Sequence, residues 1–61
     1  MSMSKQEMVD AKCEGNSHWE ILSMAVQSGI EFPDAVWLVS RALKLDAEDV
    51  EQMERDYDEI C

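Results

Sequence analysis

The chain has 61 residues, 46% of them hydrophobic and 31% charged, and its net charge is −9. A chain this short makes one domain and buries only about 60% of the surface its unfolded form exposes, which leaves little room to enclose a catalytic pocket. The acidity repels phosphate backbones and anionic lipid surfaces alike, and no apolar run approaches the ~18 residues of a membrane span.

Only Gly15, Gly29 and Pro33 interrupt the chain, which suits a few helices joined by short turns and not a β-sandwich. The opening residues lack the apolar core of a signal peptide, so the expected location is a reducing cytoplasm, with Cys13 and Cys61 as free thiols. A domain of this size normally needs a disulfide, a metal or a second subunit for stability. Self-association as a homodimer therefore stays open.

The first element starts at Ser4-x-x-Glu7, a capping box. It predicts a helix from about Lys5 to Glu14, stopped by Gly15, with sparse apolar residues (Met8, Val9, Ala11, Cys13). Residues 1–4 are expected to be disordered. Ser17-x-x-Glu20 repeats the capping signal, and Trp19, Leu22 and Val26 then recur at helical spacing, with Ala25 beside them. The second helix is read as 17–28, ended by Gly29 as a left-handed cap. Residues 30–34 form a turn whose Pro33 suits the first turn of a third helix, about Pro33 to Lys44. Val36, Val39 and Leu43 line one stripe of it, and Ala35, Leu38 and Ala42 the next. That wide apolar arc predicts the central, most buried helix.

Asp46 is the expected N-cap of the fourth helix, which runs to the end of the chain. Its apolar stripe is narrow: Ala47, Val50, Met53 or Glu54, Tyr57 and Ile60. Asp46, Glu48 and Asp49 suit the positive end of the helix dipole. The fold class expected is all-α: a small three- to four-helix orthogonal bundle in a single domain, 1–61.

Residues 39–53 resemble a helix-turn-helix in their packing pattern. Ser40 takes the place of the small residue that lets the helices approach. Lys44 stands where that family often has Gly, and Val39, Leu43, Leu45, Val50 and Met53 would lock the pair together. The resemblance implies a DNA-reading second helix, which needs Arg, Lys, Asn or Gln aimed at bases and phosphates. Here that helix is acidic. Residues 46–61 hold eight acids and one base, a balance of −7; the first 45 residues hold six acids and four bases, a balance of −2. A plain solvated face is the bland explanation. Against it, a single base, Arg55, serves the whole helix, pairing with Glu51 at i, i+4, and Asp49, Glu54 and Asp58 crowd one side.

Other chemistry is weakly signalled. Cys13 and His18 straddle a Gly-Asn turn and fall short of the four ligands of a zinc site; His18 reads as a partly exposed residue of the second helix's first turn. No catalytic, metal or cofactor residues are assigned. Of Trp19 and Trp37, one is expected in the core. Trp37, between two stripes, reads first as a core-edge residue, and if exposed as an interface anchor. The five methionines add adaptable apolar surface and specify nothing further.

The Ser4-Lys5-Gln6-Glu7 opening, the block His18-Trp19-Glu20-Ile21-Leu22 and the acidic tail ending in Cys61 resemble the small acidic helical accessory proteins of lambdoid phage and prophage early regions. The resemblance implies a bacterial host cytoplasm and a host or phage protein as target. The function expected is a non-enzymatic protein–protein interaction module. Glu48, Glu51, Glu54 and Asp58 would meet a basic protein surface, with Tyr57 or Trp37 as anchor, and the carboxylates could mimic DNA phosphates. The alternatives are direct DNA binding through Lys5, Lys12, Arg41 and Lys44, or a homo-oligomeric structural unit.

Overall fold

A computed structural model describes residues 2–60 as four helices: α1 (Lys5–Cys13), α2 (His18–Gln27), α3 (Phe32–Ala42) and α4 (Ala47–Ile60). No strand occurs among the described residues, and the all-α bundle expected from the sequence is the fold. Cys61, expected as a free thiol, lies outside the described residues. The Cα radius of gyration is 10.1 Å, against about 10.5 Å for a compact chain of this length.

The helices begin where the sequence says they should. Ser4 Oγ accepts the Glu7 N–H and Glu7 Oε1 accepts the Ser4 N–H, so α1 carries the full capping box. At α2 the Ser17 N–H and hydroxyl both donate to Glu20 Oε1, at 2.8 and 2.9 Å. Pro33 occupies the first turn of α3, where its missing N–H costs nothing. Asp46 Oδ1 accepts the Asp49 N–H at 2.9 Å and caps α4.

All three turns close by one device. The residue two past the last helical one is left-handed: Gly15 (φ 101°), Gly29 (φ 107°) and Lys44 (φ 55°). The amide after it reaches back to a carbonyl of the last turn: Asn16 to Ala11, Ile30 to Ala25 and Leu45 to Ser40. This is the Schellman motif, which satisfies carbonyls that a helix end leaves unpaired. The first two turns use glycine, which adopts positive φ freely; the third uses Lys44 and carries the steric cost of a Cβ there.

The core consists of Met8, Ala11, Ile21, Leu22, Ala25, Ala35, Val39 and Met53. Two expectations are overturned by it. First, α3 is not the most buried helix: α2 and α3 each pack against all the other three, while α1 and α4 do not meet, but α2 places Ile21, Leu22 and Ala25 in the core and α3 only Ala35 and Val39. The wide apolar arc of α3 is not fully used, because a bundle this small covers only one side of it. Ala35 and Val39 are buried while Trp37 is 55% exposed. Second, neither tryptophan joins the buried core. Trp19 is half-buried, and Ile21, Leu22 and Ala25 form the inward face of α2 in place of the Trp19–Leu22–Val26 stripe. Met8 and Met53 are fully buried instead, and their flexible thioethers suit an irregular core.

α3 starts one residue before and ends two residues short of the expected Pro33–Lys44, α4 starts directly after the expected Asp46 cap, and Leu43 and Leu45 pack on the core with Val39 and Met53. Yet α3 and α4 make the sparsest contact of any neighbouring pair, and α4 is held chiefly by α2. At the N-terminus, where residues 1–4 were expected outside the fold, Met3 packs against the core. Its N–H donates to Ser28 Oγ at 3.1 Å, and the Ser28 hydroxyl donates onward to the Ala25 carbonyl.

Candidate functional site

The surface singled out by charge is the outer side of α4. The helix sets its residues 100° apart, so Val50, Met53 and Tyr57 share the side turned to the bundle. Met53 is buried and Val50 and Tyr57 are half-buried. Glu48, Glu51, Glu54 and Asp58 are all exposed on the remaining arc. Glu51, Glu54 and Asp58 follow one another at i, i+3 and i+7 and form one continuous flank. Glu48 sits one turn before Glu51, on the outermost line with Arg55. The choice between Met53 and Glu54 for the inward stripe falls to Met53, and Ala47, expected in that stripe, is exposed.

One part of the expected crowding is corrected. Asp49 lies five residues before Glu54, so the two point to opposite flanks of the helix. Asp49 shares its flank with Gln52 and Asp56, whose side chains bond at 2.8 Å. The Glu51–Arg55 pair is present at 3.3 Å and exposed, and it is the single ion pair among the described residues. At the other pole, Asp58 and Glu59 occupy the last turn of α4 with no basic residue beside them. They face the negative end of the helix dipole, where an anion costs rather than gains.

The two expected anchors lie in different settings. Trp37 stands outward on α3, with the Arg41 guanidinium 5.2 Å from its ring centre, a cation–π distance. Tyr57 is half-buried and leans on Phe32, ring centres 5.2 Å apart and planes tilted by 39°. Phe32 is the residue that sequence reasoning missed, since it was read only as part of a turn. It joins the start of α3 to the end of α4 and is itself 38% exposed. No local pattern reveals a pairing across 25 residues; the only signal was that Phe32 is the sole phenylalanine in an aromatic-poor chain.

Elsewhere the polar groups are used in holding the fold. An open groove of ≈ 490 Å³ runs past Met3, Glu7, Met24 and Ser28. Its Glu7 and Ser28 are the same groups that close the α1 cap and fasten Met3. The Glu20 carboxyl has a shifted ionisation. The hydrogen bond from the Ser17 backbone, and then that from the Ser17 hydroxyl, hold it below its ordinary value. His18 is half-buried in the first turn of α2, as expected, and Cys13 is an exposed free thiol at the end of α1. Of the basic residues weighed for DNA contact, Lys5 and Lys12 are on α1, Arg41 lies over Trp37, and Lys44 is in the turn. No described helix is long and apolar enough to cross a membrane. Compared with protein-family models, curated proteins and solved structures, the chain finds no match.

Proposed function

We propose that the protein is a non-enzymatic interaction module that presents the outer side of α4 to a basic protein surface. The observation that carries this reading is the imbalance of α4 itself. Between Ala47 and Ile60 there are seven acids and one base, all but Asp56 exposed, and one intrahelical ion pair offsets them. Exposed like charges repel within a Debye length, about 10 Å at 0.1 M salt, and they weaken a fold that has little stability to spare. A cationic partner removes that repulsion on binding and gains steering on approach.

Glu48, Glu51, Glu54 and Asp58 are the contact carboxylates in this reading, and the DNA mimic is one form of it. The likeness to early accessory proteins of lambdoid phages adds a setting, a bacterial cytoplasm with a host or phage protein as target. The test is affinity capture from cell extract with the wild type and with Glu51, Glu54 and Asp58 all changed to Lys. We expect the captured partner to be lost while the helical circular-dichroism spectrum is kept. Capture that survives the triple change would refute the acidic face as the binding surface.

A further inference from the structure

The apolar stripe of α4 does not end where the bundle ends. Met53 is fully in the core and Tyr57 is half-buried against Phe32, but Ile60, one turn on, is 58% exposed. Ile60 lies seven residues from Met53 and so on the same side of the helix. With Phe32 at 38% exposure, the end of α4 and the start of α3 offer an uncovered apolar step of Phe32, Tyr57 and Ile60.

The charge around that step is of one sign. Asp56, Asp58 and Glu59 belong to the last turns of α4 and Glu31 precedes Phe32, and α4 has no basic residue in its last turn. The negative pole of the α4 dipole emerges at the same place, so a cation is favoured there twice over. A neutral apolar partner supplies none, and a second copy of this chain brings a net charge of −9 against the same acids.

We infer that the Phe32–Tyr57–Ile60 step seats an amphipathic basic segment of a protein partner, an apolar side chain covering Ile60 and the Phe32 ring while Lys or Arg side chains reach Glu31, Asp56 and Glu59. The inference rests on the reading of α4 as a surface for a basic partner and adds an apolar seat on the Met53 side of the helix, away from the Glu51–Glu54–Asp58 flank. Tyr57 fills the anchoring role together with Phe32 and Ile60, and Trp37 lies outside the step. Apolar burial supplies the affinity and the carboxylates supply the choice of partner sign.

The probe is a synthetic lysine–leucine peptide with its leucines at helical spacing, labelled for fluorescence anisotropy. Its control has the same composition with the leucines spread around the helix. At about 50 mM salt, where exposed charges are weakly screened, we expect the amphipathic peptide to bind about tenfold tighter than the control, the worth of one well-covered side chain. Ile60→Ser, at a side chain that is 58% exposed, should erase that preference, and Phe32→Ser should do the same. Equal binding of both peptides, indifferent to Ile60→Ser but lost on changing Glu51, Glu54 and Asp58 to Lys, would overturn the apolar seat and leave the acidic face standing. Binding of neither peptide also overturns the seat, and the acidic face is then judged by its own capture test. A dimer by sedimentation that Ile60→Ser converts to monomer would overturn it as well, since a second copy would then cover the step.

Discussion

Helices α2 and α4 solve opposite problems with similar lengths of chain. α2 is capped at both ends, touches every other helix and places three residues in the core; its ends are the Ser17–Glu20 box and Gly29. α4 is the longest helix, yet it sends only Met53 fully inside, leans mainly on one neighbour and carries most of the molecule's charge. On the proposed reading, the difference is where stability and function separate in a small domain. The residues that hold the fold are neutral and central, and the residues that make the surface distinctive are gathered on the element least needed for the core.

The largest effect that would sharpen this contrast is at the centre of α2. Leu22→Ala removes a side chain with no exposed surface, and such changes cost about 2–5 kcal/mol. In a domain this small we expect loss of most of the folded population, read as a collapse of the thermal transition. A variant that melts within a few degrees of the wild type would mean that α2 is not the hub. The next effect lies at the start of α4. Lys44 holds a φ of 55° in the turn that feeds the helix. Lys44→Gly should stabilise the fold by about 0.5–1 kcal/mol in denaturant titration, since glycine relieves the left-handed strain but brings more unfolded-state freedom. A loss of stability there would show that the Lys44 side chain gives more than its backbone costs.

The smallest effect is at the N-terminus of α2 and depends on pH. Glu20 is held below its ordinary value of 4.5 by the Ser17 backbone and hydroxyl. A lowered folded-state value means that the carboxylate's contribution is complete above the unfolded value and is lost as pH falls through the folded one. Glu20→Gln keeps an acceptor for the cap but no charge. The gap in melting temperature between wild type and variant should therefore shrink as pH drops below about 4.5. A gap that stays constant down to pH 3 would remove the charge from the account of this cap.

The helix ends were the most legible part of the sequence. Ser4–Glu7, Ser17–Glu20, Gly15, Gly29, Pro33 and Asp46 each act through neighbours a few residues away, so a linear reading finds them. The inward faces were less legible. In α2 the apolar residues Trp19, Ile21, Leu22, Ala25 and Val26 cover so much of the circumference that period alone does not choose the phase, and the bulkiest residue was the wrong guide. In α3 a broad apolar arc was read as depth, but how much of an arc is covered depends on how many helices surround it. Met8 and Met53 looked like filler because methionine fits many places, and only the assembled core shows that both are fully buried. Of the candidate surface, the carboxylates were readable from charge alone. The Phe32–Tyr57 contact was not, because it depends on the path of the chain between α3 and α4.

The central claim is that the carboxylates of α4 are kept at the expense of the fold, for a surface and not for stability. Melting temperature tests it without knowledge of any partner. Changing Glu54, Asp58 and Glu59 together to Gln leaves the Glu51–Arg55 pair intact and removes charge from the flank and from the negative end of the helix. With about 0.3–1 kcal/mol at stake near a helix terminus at low salt, and about 4–8 °C per kcal/mol in a domain of this size, we expect the melting temperature to rise by a few degrees, and the rise to fade in high salt. A fall in melting temperature would contradict the claim, because those acids would then be part of what holds α4 in place.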